Sequence, residues 1–388
     1  MARKPFIPTV DPFLIWLVGV VALASFFPAR GAGAVFFRSL ADAAIVLLFF
    51  LQGAKLSRDA IIQGVGNWRL HTMTLASTYV VFPLLGLATA AAVQGWISPL
   101  LVSGLLFLTL LPSTVQSSIA FTTMARGNVA AAVCSASLSN VLGIFLTPLL
   151  VGLLIGATAG ERGFDWGAVQ GIVLQLLLPF IAGHLLRPMI GEFVNRHKKI
   201  LMPVDRGSIL LVVFSAFSAA VVNGIWSRID FADLLSLLLV SAVILALVML
   251  INVAMARISK MPREDFIVLL FCGSKKSLVS GVPMAGALFA PAQVGMVVLP
   301  LMIFHQLQLF VCAWLAARFA RQYDEAHEGE AMNSVPAEIP LAPDAIEAAA
   351  AAHGIVLPED ARPGVEANLA LLARHAATLR GDPGPEGR

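Results

Sequence analysis

From residue 12 to residue 318 the chain alternates long apolar stretches with short connections rich in charge, Pro and Gly. A helix needs about 20 mostly apolar residues to cross the hydrocarbon core of a bilayer. Ten stretches of that order can be marked off: 12–28, 39–56, 71–93, 98–124, 128–157, 168–187, 207–225, 232–256, 265–288 and 293–318. They predict an all-α integral membrane protein of ten transmembrane helices. Arg3 and Lys4 precede the first run, Phe13 to Phe27, with no small-x-small cleavage site after it, so it reads as a retained span.

Two stretches depart from the uniformly apolar pattern. The fourth is interrupted at Pro112, Ser113, Thr114, Val115, Gln116, Ser117 and Ser118. The ninth is interrupted at Cys272, Gly273, Ser274, Lys275, Lys276 and Ser277, with Ser280, Gly281 and Pro283 following. The interruptions fall at matching places in two sets of five helices. Odd-numbered repeats placed end to end insert in opposite orientations, so the pattern predicts two inverted five-helix repeats with helices four and nine broken.

In hydrocarbon every backbone N–H and C=O needs a partner, so an unwound segment survives only inside protein or beside a wet cavity. Unwinding exposes carbonyl oxygens that suit a cation, and half-helix N-termini that suit an anion. The residues of both interruptions are therefore candidates for a binding site: Pro112, Ser113, Thr114, Gln116, Ser117 and Ser118, and Gly273, Ser274, Lys275, Lys276 and Ser277. A basic residue at mid-bilayer costs at least about 2.5–3.5 kcal/mol on insertion scales. One lysine is expected to meet an anionic substrate and the other to cap the carbonyl end of a half-helix. Adjacent helical positions diverge by about 100°, so both can turn inward only where the helix is unwound. Further polar candidates are Asn128, Ser139 and Asn140 around helix five, and His305 and Gln306 in helix ten. Carboxylates are read only at span edges, with Asp42 near the start of helix two and Glu264 and Asp265 at the mouth of helix nine.

Composition agrees with the pattern. Of 388 residues 58% are apolar and 13% charged, too few charges to wet a soluble surface. The net charge of +3 does not point to nucleic acid, because the basic residues alternate by membrane side. Fourteen Lys and Arg fall in the loops on the side of the N-terminus, against Arg30, Arg38, Arg162 and Arg228 on the other. The positive-inside rule then places both termini in the cytoplasm and the protein in the inner (plasma) membrane, among lipid. Cys134, Cys272 and Cys312 show neither metal-ligand spacing nor a disulfide framework. No phosphate-binding GxxxxGK[ST] loop marks a primary pump.

The stretch Ala125-Arg126-Gly127-Asn128-Val129-Ala130, with Leu146-Thr147-Pro148-Leu149 beyond it, resembles the signature of the bile acid:sodium symporter family. Phe271 to Leu278, Phe50 to Ser57 and His305-Gln306 are similar to the branch of bacterial homologues of solute carrier family 10 member 7. The resemblance covers residues from about 10 to 320. It implies a panel domain of helices 1, 2, 6 and 7 and a core domain of helices 3–5 and 8–10, with helices four and nine crossing near the substrate. It also implies alternating-access transport of an organic anion, bile acid-like or a carboxylate or sulfate conjugate. The coupling ion it implies is Na+, with Ser117 and Ser118 matching the polar pair at the crossing. The chain departs from the sodium-coupled pattern in two places. Phe271, Cys272 and Gly273 stand where those relatives place an acidic residue, and Ala132 and Ala136 where they place hydroxyls. An ammonium from Lys275 or Lys276 is expected to take the place of sodium.

After Arg321 the composition turns to Glu, Ala and Pro. Residues 322–343 read as a flexible linker, 344–381 as a small helical segment and 382–388 as disordered. One helix is expected from Asp344 to Ala352, stopped by Gly354. A second carries Pro363 in its first turn and Val365, Leu369, Leu372, Ala376 and Leu379 at helical spacing. The stretch Arg362 to Leu372 is similar to small accessory subunits of amidases, which implies an amidase-type partner. Two other functions compete with transport. One is a membrane scaffold that recruits a soluble partner through the tail. The other is an intramembrane hydrolase built from Ser274 or Ser277 with His305, which lacks a nucleophile elbow and an orienting acid.

Overall fold

The computed structural model describes residues 12–55, 67–158, 166–227, 229–334, 339–352 and 354–380. Their regular structure is helical throughout, apart from one isolated bridge between Gln94 and Ile97. The helices are α1 (Pro12–Phe26), α2 (Gly31–Lys55), α3 (Trp68–Val93), α4 (Pro99–Leu110), α5 (Gln116–Met124), α6 (Val129–Thr158), α7 (Trp166–Arg196), α8 (Lys198–Val222), α9 (Phe231–Ile258), α10 (Arg263–Gly273), α11 (Leu278–Leu288), α12 (Pro291–Ser334), α13 (Pro343–Ala352) and α14 (Arg362–Arg380). Eight described stretches are long and apolar enough to cross a membrane, with α10 and α11 counted as one rod, Arg263–Leu288. Two shorter apolar helices, Ile15–Phe26 and Pro99–Leu110, accompany them. Trp16, Phe26, Phe36, Met189, Phe231, Leu239 and Leu250 all turn outward, a surface that suits lipid. The chain is a multi-pass membrane protein.

Two contiguous units are present, Met1–Arg321 and Gln322–Arg388. Within the first, α2 packs on α7 and α8, and α1 packs on α8. A second group joins α3 to α4, α6, α9 and α10, and α5 to α6 and α10. Helix α11 touches both groups, through α2, α7 and α8 on one side and α6 on the other. Helices α2 and α7 meet at Gly53 and Gly183. A Cβ on Gly53 would stand 2.0 Å from the Phe180 carbonyl oxygen, and one on Gly183 2.0 Å from that of Phe50. Small residues at such a crossing let two membrane helices reach van der Waals contact.

The broken rods have local causes. Pro112 disfavours helical geometry at the residue before it, and Leu111 is extended (ψ 156°). Helix α10 runs out at Gly273, and α11 restarts behind Ser277, whose Oγ accepts from the Ser280 N–H at 3.1 Å. Of the apolar stretch in the Arg263–Leu288 rod, 89% is buried, against 33% for Phe231–Ile258. The interrupted backbone is thus sealed in protein, as a bilayer demands.

Three boundaries differ from the sequence reading. Helix α2 begins at Gly31, so Asp42 stands near its middle, exposed, rather than near its start. The apolar run before Arg38 simply continues the helix. Helix α12 extends through residues 322–334, where a linker was expected, since Gln, Glu, Ala and Met there favour helix. The expected basic loop between helices six and seven has almost vanished, because α7 ends at Arg196 and α8 starts at Lys198. Residues 335–338 of the expected linker, Gly381 and 382–388 lie outside the described residues.

In the second unit α13 stops as expected. Gly354 takes φ +68° and, with Ile355, bonds back to Ala351 and Ala350, the left-handed ending that glycine permits. Arg362 pairs with Glu347 across the two helices. Ile346 is buried, while Leu341, Ile355, Val356, Leu371 and Leu372 are exposed.

Candidate functional site: the crossing of two broken helices

The two interruptions meet. Ser277 N donates to the Pro112 carbonyl at 2.9 Å, and Ser113 Oγ to that of Cys272 at 2.6 Å. A hydroxyl reaches each of the last four carbonyls of α10. Ser274 Oγ donates to Leu270 O, Ser118 Oγ to Phe271 O at 3.3 Å, Ser113 Oγ to Cys272 O, and Ser77 Oγ to Gly273 O at 2.8 Å.

The end of α4 is closed differently. Thr147 Oγ1 donates to Leu110 O at 2.8 Å. The Lys276 ammonium donates to Leu111 O at 2.7 Å, Thr109 O at 2.8 Å and Thr78 O at 2.9 Å. Thr78 lies in a π-helical turn of α3, Ser77–Val81; such turns often mark functional positions. The Phe82 ring lies 4.1 Å from the same nitrogen. A cation at a helix C-terminus is the favourable sign for the macrodipole.

Lys275 turns elsewhere. It is fully buried, its Nζ lies 3.4 Å from Ser117 Oγ, and the Phe121 and Phe271 rings face it at 4.5 and 5.8 Å. Among the described residues no carboxylate pairs with either lysine. Ser117 is half-buried and Gln116 exposed at the start of α5, a helix without a side-chain cap. The backbone is unwound at the lysines, which is why both point inward.

The other expected residues divide. Asn140 joins the two breaks, with Nδ2 donating to Ser113 O at 2.7 Å and Oδ1 accepting from Ser280 Oγ at 2.9 Å. Ser139 Oγ accepts from Ser113 N at 3.0 Å, and Thr114 bonds Ser117 and Ser118. Asn128 does not join the crossing. It caps α6 through Ala131 N and binds Asp265, which Asn67 also holds. His305 Nδ1 lies 2.8 Å from Gln308 Nε2, and Gln306 keeps a buried Oε1 with no partner among the described residues. Ser274 and Ser277 spend their hydroxyls on Leu270 O and Ser280 Oγ.

Several site residues are not singled out by the sequence: Ser77, Thr78, Thr109 and Gln308, with Thr147 read only as part of the family signature. Gln308 is the most consequential, since its Oε1 accepts from Lys276 N at 2.8 Å and its Nε2 donates to Lys276 O at 2.9 Å. Its spacing of three from His305 was the one available signal.

Membrane-length helices folded around a buried crossing of two unwound rods are the arrangement found in secondary carriers. Residues 11–321 match the profile of the SBF-like CPA transporter family, and the chain belongs to that family. It is 56% identical over 316 residues to YfeH of Escherichia coli K12, which carries the provisional name of a symporter; the alignment covers 81% of this chain and 95% of that protein. It is 55% identical to the uncharacterized protein PA2026 of Pseudomonas aeruginosa PAO1, over 84% of this chain and 97% of the other. Similarity extends to sodium/bile acid cotransporter 7 of Rattus norvegicus, at 24% identity over 77% and 89% of the two chains. The chain is a transporter and not an enzyme.

Proposed function

We propose that the protein is a secondary carrier of organic anions, carboxylates or sulfate conjugates, working by alternating access in the bacterial inner membrane with both termini in the cytoplasm. Helix α1 and the α4–α5 rod complete a set of ten spans, arranged as inverted repeats of five. The group α1, α2, α7 and α8 forms the panel, and the remaining helices of the first unit form the core. One observation carries the reading: Lys275 is a fully buried ammonium with, among the described residues, a single long hydrogen bond, to Ser117 beside the uncapped start of α5. A buried charge is retained at high cost when it meets an opposite charge during function.

The reading gives sodium no obligatory place at Ser117 and Ser118. An ammonium 3.4 Å from Ser117 Oγ repels a second cation at that hydroxyl. The test is uptake by proteoliposomes of a panel of carboxylates and sulfate conjugates, with and without an imposed sodium gradient. Flux of at least one anion without sodium, lost in Lys275→Gln, supports the reading. Flux untouched by Lys275→Gln, or strictly driven by sodium, overturns it.

The tail is proposed to recruit a soluble amidase-type partner, which the outward Leu341, Ile355, Val356, Leu371 and Leu372 support. Failure of the full-length protein to retain any amidase in a pull-down removes that part alone.

A further inference from the structure

The surroundings of Lys276 have the composition of a cation site rather than of an ion pair. Three carbonyl oxygens, from Thr78, Thr109 and Leu111, converge on its nitrogen at 2.7–2.9 Å. The Phe82 ring closes a fourth side at 4.1 Å, and the whole is inaccessible to solvent. Rings of neutral carbonyl dipoles are how proteins hold a dehydrated monovalent cation. An aromatic face adds attraction of the same sign.

The backbone around these oxygens is held by bonds that do not involve the lysine side chain. The end of α4 is fixed by Thr147 on Leu110 O, Ser277 N on Pro112 O and Asn140 on Ser113 O. Thr78 is seated in the π-helical turn of α3, with its own Oγ1 bonded to Thr74 O. The Lys276 backbone is clamped on both sides by Gln308.

We propose that the fold builds a monovalent-cation site at this crossing, that the Lys276 ammonium is its resident cation, and that truncating the side chain opens the site to a free one. Distances of 2.7–2.9 Å match ammonium, methylammonium and potassium better than the smaller sodium, which draws its oxygens closer. The inference rests on this geometry and not on the cargo, so a failed uptake experiment leaves it standing.

The test is thermal unfolding of the full chain in detergent, prepared throughout in methylammonium, ammonium, potassium, sodium or choline chloride at equal ionic strength. Wild type is expected to melt at one temperature in all five. Lys276→Ala is expected to melt lowest in choline and to rise by about 5 °C or more with a small cation that saturates the site, most with methylammonium and ammonium. Lys276→Met, which refills the volume without charge, is expected to melt below wild type and to ignore the salt. A folded Lys276→Ala that does not distinguish choline from the small cations overturns the proposal. If Lys276→Ala yields folded protein only in a small cation, the yield is the supporting result. If it yields none in any salt, Lys276→Met decides: a melting temperature at or above that of wild type means the carbonyls need no cation, and a lower one supports the proposal.

Discussion

Gln306 and Gln308 stand two residues apart on α12 and should respond oppositely to the same substitution. Gln308 is buried and holds both backbone groups of Lys276, accepting from N–H at 2.8 Å and donating to C=O at 2.9 Å. Gln308→Leu keeps the volume but leaves that N–H and C=O sealed from water without partners. An orphaned buried group costs about 1–3 kcal/mol, so the pair amounts to roughly 2–6 kcal/mol. Gln306 presents a buried Oε1 that lacks a partner among the described residues, so Gln306→Leu removes a cost and should change stability by less than about 0.5 kcal/mol or improve it. Thermal unfolding of purified protein separates the two. At about 1–1.5 °C per kcal/mol for a chain of 388 residues, Gln308→Leu should lower Tm by roughly 2–8 °C, with Gln306→Leu at or above wild type. Equal shifts, or a larger loss at Gln306, would refute the reasoning.

Four further outcomes can be measured alongside. Gly183→Ala sets a Cβ 2.0 Å from the Phe50 carbonyl oxygen and should lower stability by about 1–3 kcal/mol or more as α2 and α7 part. Gly207→Ala in α8, with open space around it, should instead gain up to about 1 kcal/mol; melting curves compare them. Ser113→Ala leaves the buried Cys272 carbonyl without its donor, an expected loss of about 1–3 kcal/mol in the same assay. Lys275→Gln should abolish anion uptake while Tm holds or rises, because a buried charge without a carboxylate partner is removed. A fall in both would mean that the lysine serves the fold.

The features readable in the sequence were those that conflict with a bilayer. Pro112 and Gly273 interrupt long apolar runs, and two lysines in the second interruption cannot be ignored at their insertion cost. What escaped depends on tertiary position. Ser77, Thr78 and Gln308 are sparse polar residues in apolar helices, a pattern that also describes ordinary helix–helix contacts. Nothing in Ser77–Val81 announces a π-helical turn. The place of Asn128 has a local clue, since Asn ahead of an apolar, alanine-rich run is a common N-cap of a helix. The helical extension to Ser334 was hidden by its polarity, which reads as linker although its residues favour helix.

The crossing solves one problem in two ways, and the difference bears on motion. At the end of α10 neutral hydroxyls from α3, α5 and the connection between α4 and α5 meet the carbonyls; at the end of α4 an ammonium from beyond α10 does. Separating the two rods would orphan together the carbonyls bonded between them, those of Phe271, Cys272 and Leu111, at about 1–3 kcal/mol each. The contact between α11 and the α2–α8 pair is of another kind, with Gly286 set against Ile45 and Val212. Apolar surfaces slide without leaving a donor or acceptor unmet. An alternating-access carrier built this way would therefore move its crossed rods as one body and rock at the greasy face beside α11. Whatever the anion meets at Lys275 would then travel with the rods.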